Sequence, residues 1–294
     1  MALSLAHSKR RSHRFRAIVT YVLLLLGLVW FSYPLLWLVL GSLKPWVDFG
    51  KLPAPFLPSS LHPENYVAAW KVVPFGRFFV NTFILVIVNI LGTVLSASLV
   101  AYGFARLRFW GRNVAFGIML ATMMLPGWVT LIPQFIIFRQ MNWVNTWLPL
   151  TVPAFLGGAG NIFLMRQFFL TLPRELDEAA ELDGCNALGI YWRVLMPLCK
   201  PVLATIAIFT FLGVWDSFLI PLIYLHSQQL FTVAIGLAFM RNAIVGETGG
   251  GQPLPIQALV LAASVFTSIP PLAIFFLGQR YFVRGIALTG RTGV

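Results

Sequence analysis

Six stretches of the chain consist almost wholly of apolar residues, and each is long enough to form a membrane-spanning helix. A bilayer core of about 30 Å requires roughly 20 apolar residues in helical conformation. Proline and glycine within such helices are tolerated where neighbouring groups satisfy the freed backbone. The pattern therefore predicts an all-α, polytopic membrane protein with six transmembrane helices: Ala17–Leu43, Phe78–Ala105, Val114–Phe138, Trp147–Met165, Val202–Leu225 and Ile256–Gly278.

The basic residues fall mostly on one side of this arrangement. Six spans place both termini on the same side, and fifteen of the 21 Lys and Arg residues lie in the tails and loops of that side. Because basic loops are retained in the cytoplasm, this asymmetry predicts cytoplasmic termini in a bacterial or archaeal cytoplasmic (inner) membrane. We expect a basic cytoplasmic tail at residues 1–16 and a single transmembrane domain at residues 17–294.

The composition argues against a soluble enzyme. Hydrophobic residues make up 59% of the 294 residues and charged residues only 10%, whereas soluble domains carry about 25% charged residues. The net charge of +12 would indicate nucleic-acid binding in a soluble protein. Here the basic cytoplasmic loops explain it, so we expect a lipid bilayer and no nucleic acid as partner. Cys185 and Cys199 fall on the reducing cytoplasmic side and are expected to be free thiols.

Most of the acidic residues lie in one cytoplasmic segment. Five of the nine acids fall within nine residues, from Glu175 to Asp183, in the segment 171–201 between spans four and five. Pro173 suits a first helical position and the acids suit a helix N-terminus, while Gly184 permits a sharp turn. The segment therefore predicts a hairpin of two short helices. It is either a solvated connector or a docking element for a partner protein.

Three motifs stand out in the second half of the chain: Glu178-Ala179-Ala180 with Asp183-Gly184 and Pro197, then Trp215-Asp216-Ser217-Phe218 with Pro221-Leu222, and finally Phe276 to Gly285. The first resembles the EAA loop of ABC-importer permeases. The second and third resemble the W-N-E-F…P-L stretch and the C-terminal ending of carbohydrate-importer permeases. Asp216 and Ser217 depart from this pattern, since Asn and Glu are usual there. Together with the six-span layout, the motifs resemble the shorter of the two permeases in maltose-type importers.

The resemblance implies a transmembrane permease subunit of an ATP-driven importer for sugars, whether mono-, di- or oligosaccharides. Such a subunit forms half of the translocation pathway beside a second homologous permease. Two ATPase subunits and an extracytoplasmic substrate-binding protein are the further partners that it implies. The chain lacks the phosphate-binding loop G-x-x-x-x-G-K-[ST]. We therefore expect no enzyme and no cofactor in this chain, with ATP and Mg bound by the partner ATPase.

Two segments acquire roles from the same resemblance. The EAA-like segment is similar to the coupling helix that docks on the ATPase, and the third outer loop of such permeases contacts the binding protein. The implied coupling residues are Glu178, Ala179, Ala180, Asp183 and Gly184. The implied binding-protein contacts are Arg241, Gly249, Gly250 and Gly251.

Polar and aromatic residues within the predicted spans are candidates for the substrate path. Sugar hydroxyls need hydrogen-bonding side chains with aromatic faces beside them. Structural roles stay open, because buried amides commonly form interhelical hydrogen bonds, membrane tryptophans commonly lie at the interface, and a lone acid in a span faces a cavity or a partner. The candidates are Asn89, Trp128, Asn161, Trp215 and Asp216.

The main alternative is a proton-coupled secondary carrier that uses Asp216, the one carboxylate inside a predicted span. Many such carriers contain inverted repeats of broken helices, and the sequence shows no such repeat. An integral membrane enzyme would need acids or histidines clustered near one membrane face. The four histidines are scattered in tails and loops without metal-ligand spacing, so we predict no catalytic and no metal-binding residues.

Overall fold

The structure is a computed structural model that describes residues 2–247 and 256–289, with side chains described for 16–240 and 256–279. Every regular element within these ranges is helical. Two short 3₁₀ segments, Val152–Leu156 and Gln228–Leu230, and a π-helical segment, Ile190–Leu195, accompany the α-helices. The α-helices are α1 (Ala2–Ser42), α2 (Trp46–Phe49), α3 (Glu64–Val72), α4 (Phe75–Arg106), α5 (Arg112–Thr122), α6 (Gly127–Gln140), α7 (Leu148–Thr151), α8 (Ala159–Thr171), α9 (Glu175–Leu182), α10 (Ala187–Gly189), α11 (Met196–Leu198), α12 (Lys200–Trp215), α13 (Leu219–Tyr224), α14 (Val233–Glu247) and α15 (Ile256–Thr289).

Four of the six predicted spans correspond to helical stretches that are long and apolar enough to cross a bilayer. These are Arg16–Ser42, Phe75–Arg106, Leu148–Thr171 and Ile256–Gln279. Two further helix pairs meet the same criterion only when joined across a bend. The described residues therefore contain four candidate spans, or six if each bent pair is one span. The prediction of an all-α polytopic protein is confirmed at this level.

The third predicted span, Val114–Phe138, is not one continuous helix. It consists of α5 and α6, which are bent by 98° relative to each other. Pro126 lies in extended conformation immediately before α6. Proline has no N–H to continue the helical ladder, and it pushes the preceding residue, Leu125, away from helical angles. The hydropathy of this span does not reveal the bend, and a single crossing of the bilayer by the pair stays a prediction.

The fifth predicted span, Val202–Leu225, is interrupted as well. Helix α12 ends at Trp215, and the chain resumes a helix only in α13. Pro221 lacks the N–H that the carbonyl of Ser217 would accept from it in a continuous helix. Upstream, α12 pairs across a bend of 79° with the helical run Ala187–Leu198. The observed helical pair therefore runs from Ala187 to Trp215, whereas the predicted span runs from Val202 to Leu225.

The chain divides into two compact units. The first comprises the described parts of Met1–Val72 and Arg241–Phe266, and the second comprises those of Val73–Met240 and Thr267–Val294. The single domain predicted for residues 17–294 stays a prediction.

Helix α4 is the centre of the second unit. It packs against α8 and α12, and its residues Ala97, Ala101 and Ala105 are buried at four-residue spacing. Small residues in such a stripe allow helix backbones to approach closely. The adjoining core contains Met165, Phe169, Tyr191, Leu195, Cys199 and Ile206.

A buried polar cluster organises the loop between α1 and α3 in the first unit. Asp48 is fully buried and accepts hydrogen bonds from Lys51 Nζ at 2.7 Å and from the backbone N–H of Ser59 at 2.8 Å. The hydrogen bond from Lys51 is the main reason that the pKa of Asp48 falls to about 2, and the N–H of Ser59 acts in the same direction. Lys44 is also buried, and its ammonium group lies 3.9 Å from the ring centre of Trp37.

Candidate coupling segment and substrate path

The acidic segment forms two short helical runs around a glycine turn. Helix α9 carries acidic residues in its first turn, where they favour helix formation by opposing the helix dipole. Gly184 then turns the chain with a φ of +82°, a left-handed conformation that glycine adopts without a Cβ clash. Asn186 begins the next run, and its Oδ1 accepts a hydrogen bond from the N–H of Gly189 at 2.8 Å. Both runs lie where the sequence predicts them.

The five expected coupling residues differ in exposure. Ala180 is 7% exposed and belongs to the core that holds α9. The remaining four are exposed: Glu178, Ala179, Asp183 and Gly184. The exposed side of α9 and the turn that follows it therefore present carboxylates beside small residues, an arrangement that leaves room for a partner surface. The coupling role of these residues stays a prediction.

A buried ion pair joins α9 to the end of α4. Arg106 Nε lies 3.1 Å from Asp177 Oδ2, and the two side chains are 5% and 16% exposed. Arg106 also donates a hydrogen bond from Nη2 to the carbonyl of Leu172 at 2.9 Å. Burial raises the pKa of the Asp177 carboxyl, and Arg106 opposes this rise because it stabilises the charged form. The position of α9 therefore depends on one desolvated pair of opposite charges.

Sequence reasoning missed this pair and two neighbouring contacts. The hydroxyl groups of Ser98 and Tyr191 lie 2.8 Å apart, and Tyr102 Oη donates a hydrogen bond to the carbonyl of Ala187 at 3.0 Å. Ser98, Tyr102 and Arg106 recur at four-residue spacing on α4, which places them on one helix face. That spacing is the signal in the sequence by which they were recognisable as a set.

The amides among the expected substrate-path residues are placed within the fold. Asn89 is 8% exposed, and its Nδ2 donates to the carbonyls of Leu85 at 2.8 Å and Leu150 at 2.9 Å. It therefore links α4 to α7, the structural use of a buried amide that the sequence left open. Asn161 is partly buried in the first turn of α8.

The expected aromatic residues of the path lie in different surroundings. Trp128 is 71% exposed in the first turn of α6. Trp215 is 2% exposed, stacks on Phe211 with ring centres 5.4 Å apart, and donates from Nε1 to the carbonyl of Thr267 at 3.1 Å. In this conformation Trp215 therefore contributes its ring to the core, whereas Trp128 offers its ring to the surroundings.

Asp216 caps the C-terminal end of α12 and is exposed. Within the described residues, no ion pair involves it, and no hydrogen bond or ion pair joins any two of the five substrate-path candidates. The role of these five residues in a substrate path stays a prediction.

The expected binding-protein contact lies largely outside the described residues. Arg241 lies on α14, but its side chain is not described, and Gly249, Gly250 and Gly251 fall within 248–255, outside the described ranges. The structure does not bear on this prediction.

Comparison with known proteins identifies the family. Residues 94–288 match the model of the family described as "Binding-protein-dependent transport system inner membrane component". Because the match covers more than half of the chain, the protein belongs to this family of transporter permease subunits. The resemblance drawn from the motifs and the inner-membrane location are thereby confirmed.

The relatives cover nearly the whole chain. The probable ABC transporter permease protein YurM of Bacillus subtilis is 34% identical over 268 residues, 91% of this chain and 86% of its own length. The arabinooligosaccharides transport system permease protein AraQ of Halalkalibacterium halodurans is 33% identical over 264 residues, 89% of this chain and 91% of its own. The solved structure of a bacterial ABC transporter that imports the acidic polysaccharide alginate matches with a TM-score of 0.80 and 25% identity, over 92% of this chain and 98% of that chain.

Proposed function

We propose that this chain forms one half of the translocation pathway of an ATP-driven importer for a sugar, whether a mono-, di- or oligosaccharide. The relatives that act on arabinooligosaccharides and alginate support a polyhydroxylated substrate. A second homologous permease completes the pathway, two ATPase subunits hydrolyse ATP with Mg, and an extracytoplasmic binding protein delivers the sugar. The family description supports the last of these partners.

The observation that carries this proposal is an exposed break in a membrane helix. Between α5 and α6 the N–H groups of Met123, Met124 and Leu125 donate to carbonyls three residues back, at 3.0–3.2 Å, so the carbonyls of these residues are left without helical donors in the described part of the chain. The three residues are 51%, 83% and 60% exposed. Hydrocarbon cannot hydrogen-bond the freed backbone groups, so a break at membrane depth is tolerated only in protein or beside water. This chain does not cover the break, so a water-filled path beside a second subunit is the arrangement that satisfies it.

Thiol labelling tests this arrangement. Met124→Cys, in a Cys185→Ser background and in the assembled complex, should react with a water-soluble maleimide, because the break lines the aqueous path. Leu25→Cys is the matched control, since Leu25 is 59% exposed on the unbroken helix α1 and is expected to face lipid. Equal protection of both positions in the complex would contradict a water-lined break.

We infer further that the pair α5–α6 crosses the membrane once and that α12, continued by α13, crosses it once, which gives six spans with cytoplasmic termini. The acidic segment 171–201, which we call the coupling segment, then lies on the cytoplasmic side, where the ATPase subunits bind. Its exposed carboxylates and small residues support a docking role, and the buried Ala180 and Arg106–Asp177 pair support a fixed position on the membrane helices. A reporter fused to either terminus should be active only in its cytoplasmic form, and periplasmic activity at one terminus would contradict the six-span topology.

Reconstitution tests the importer as a whole. The chain, its partner permease and the ATPase are purified together, placed in proteoliposomes with ATP on the ATPase side, and supplied with binding protein and radiolabelled sugar. We expect uptake that requires ATP, and Glu178→Gln should reduce ATPase capture whereas Glu175→Gln, an exposed acid of the same helix, should not. Normal capture by the Glu178→Gln variant would contradict its docking role.

The same assay addresses the alternative carrier. Uptake by this chain alone, driven by a proton gradient without ATPase and abolished by Asp216→Asn, is the result that a proton-coupled carrier requires. Family membership and the exposed, ion-pair-free position of Asp216 within the described residues favour the ATP-driven importer.

A further inference from the structure

Three polar residues on one face of α4 hold three different parts of the coupling segment. Ser98 contacts Tyr191 of the π-helical segment, Tyr102 contacts the carbonyl of Ala187 in α10, and Arg106 contacts Asp177 of α9. We refer to Ser98, Tyr102 and Arg106 as the polar stripe. Their spacing of four residues aligns them along the helix, so the coupling segment is attached to a single helix face over two turns.

The packing around the polar stripe leaves little freedom for the segment to move independently of α4. The neighbouring alanine stripe, Ala97, Ala101 and Ala105, is at most 2% exposed and shares one apolar core with Tyr191 and Leu195 of the segment. The rings of Tyr102 and Tyr191 also lie in contact, with centres 5.4 Å apart. The segment is therefore linked to α4 through side-chain contacts from three of its parts.

The ion pair is the charged part of this attachment. Arg106 Nε and Asp177 Oδ1 form no hydrogen bond within the described residues, so the 3.1 Å contact is an attraction between two buried charges. Removing one partner of such a pair leaves the other charge buried without compensation, whereas removing both is much better tolerated. Arg106 is 5% exposed and therefore acts on a docked ATPase only through the segment.

We propose that Ser98, Tyr102 and Arg106 are positioning residues that fasten the coupling segment to α4 and transmit the movement of the ATPase to the membrane helices. This inference rests on the proposed function, because it concerns the transmission step of that importer. It adds residues that lie outside the docking surface itself. It also assigns the transmission to one helix, α4, which packs against both α8 and α12.

The experiment measures sugar transported per ATP hydrolysed in the complete reconstituted complex. Arg106→Gln and Asp177→Asn should each lower this ratio at least fivefold, and the double variant should lose no more than the more damaging single variant, since the two residues act as a pair. Arg108→Gln and Glu175→Gln are the matched controls, because they remove one exposed charge from the same two regions, and each should stay within twofold of wild type. Multiplying losses in the double variant, or wild-type ratios in both single variants, would overturn the proposal.

A milder pair of variants keeps the test decisive if the charge variants do not assemble. Tyr102→Phe removes only the hydroxyl that donates to Ala187, whereas Tyr224→Phe removes a buried hydroxyl that has no hydrogen-bond partner in the described residues. We expect Tyr102→Phe to lower the sugar transported per ATP at least twofold and Tyr224→Phe to leave it unchanged. Equal ratios for the two variants would refute the role of the polar stripe. A wild-type complex without ATP-driven uptake would refute the proposed function itself. Normal wild-type uptake with unaffected variants would refute only the role of the polar stripe.

Discussion

The turn at Gly184 offers a test of whether docking depends on backbone geometry. Gly184 has a φ of +82°, and a Cβ added there would meet no atom within 4 Å. Gly184→Ala therefore introduces backbone strain without a clash, and the left-handed conformation costs an L-residue roughly 1–2 kcal/mol. Because 1.4 kcal/mol corresponds to a factor of ten, affinity for the ATPase should fall by about 5- to 30-fold if docking requires this turn.

The assay is a titration of the ATPase subunit onto the permease complex in nanodiscs. Gly184→Asn should lose less affinity than Gly184→Ala, because asparagine adopts the left-handed conformation more readily. Gly213→Ala is the control, since its Cβ also meets no atom within 4 Å and alanine is the best helix former. An unchanged affinity of Gly184→Ala would refute the reasoning. A larger loss for asparagine than for alanine would also refute it, because side-chain bulk would then decide.

Two further predictions concern stability, measured by thermal unfolding in detergent. Leu195→Ala should destabilise the protein by about 2–5 kcal/mol, because Leu195 is fully buried and truncation leaves a cavity. Leu182→Ala, at a position 90% exposed, should change stability by no more than about 0.5 kcal/mol, and equal shifts would contradict the packing. Asp48→Asn should be less stable than wild type above the ordinary pKa of the carboxyl, where its hydrogen bonds from Lys51 and Ser59 stabilise the fold. Since the pKa of Asp48 is about 2 in the fold against an ordinary 3.8, this difference should shrink as the pH falls from about 4 through 2, and a difference independent of pH would contradict the linkage.

Hydropathy predicted the helices of the membrane region but not their continuity. The first predicted span, Ala17–Leu43, ends within one residue of helix α1, which runs from Ala2 to Ser42, because a long apolar run has few conformations that satisfy its backbone in lipid. The presence of a proline, in contrast, does not by itself predict a break in a helix. Pro34 and Pro133 lie inside continuous helices, whereas α6 begins directly after Pro126.

The difference between these prolines lies in their tertiary surroundings. A proline inside a helix is tolerated where other groups satisfy the freed carbonyl, and those groups come from elsewhere in the chain or from a partner. A single sequence does not show which prolines have such groups. The break at residues 123–126 therefore became apparent only from the bend of 98°, although it is the feature that best supports a water-lined path.

The coupling segment was predictable in outline because its signals are local. Acids at a helix start and a glycine turn each act within a few residues, and they lie where the sequence placed them. The π-helical segment Ile190–Leu195 was not predicted, since the wider helical turn has no strong signal of residue type. It brings Tyr191 to Ser98, a contact that a simple two-helix hairpin does not specify.

The polar stripe marks the limit of what periodicity reveals. Residues at four-residue spacing in an apolar helix indicate one polar face, and thus a partner for that face. The identity of the partner is not encoded in that spacing, because Ala187 and Tyr191 lie 85 and 93 residues away from the side chains that they contact. Arg106 shows the same limit, since several acids of the cluster Glu175 to Asp183 were available to it and only packing selects Asp177. If Arg106 and Asp177 act as one unit, the double variant will lose no more sugar transport per ATP than the more damaging single variant. If a basic helix end only attracts the acidic segment in general, the losses of the two single variants will multiply in the double variant.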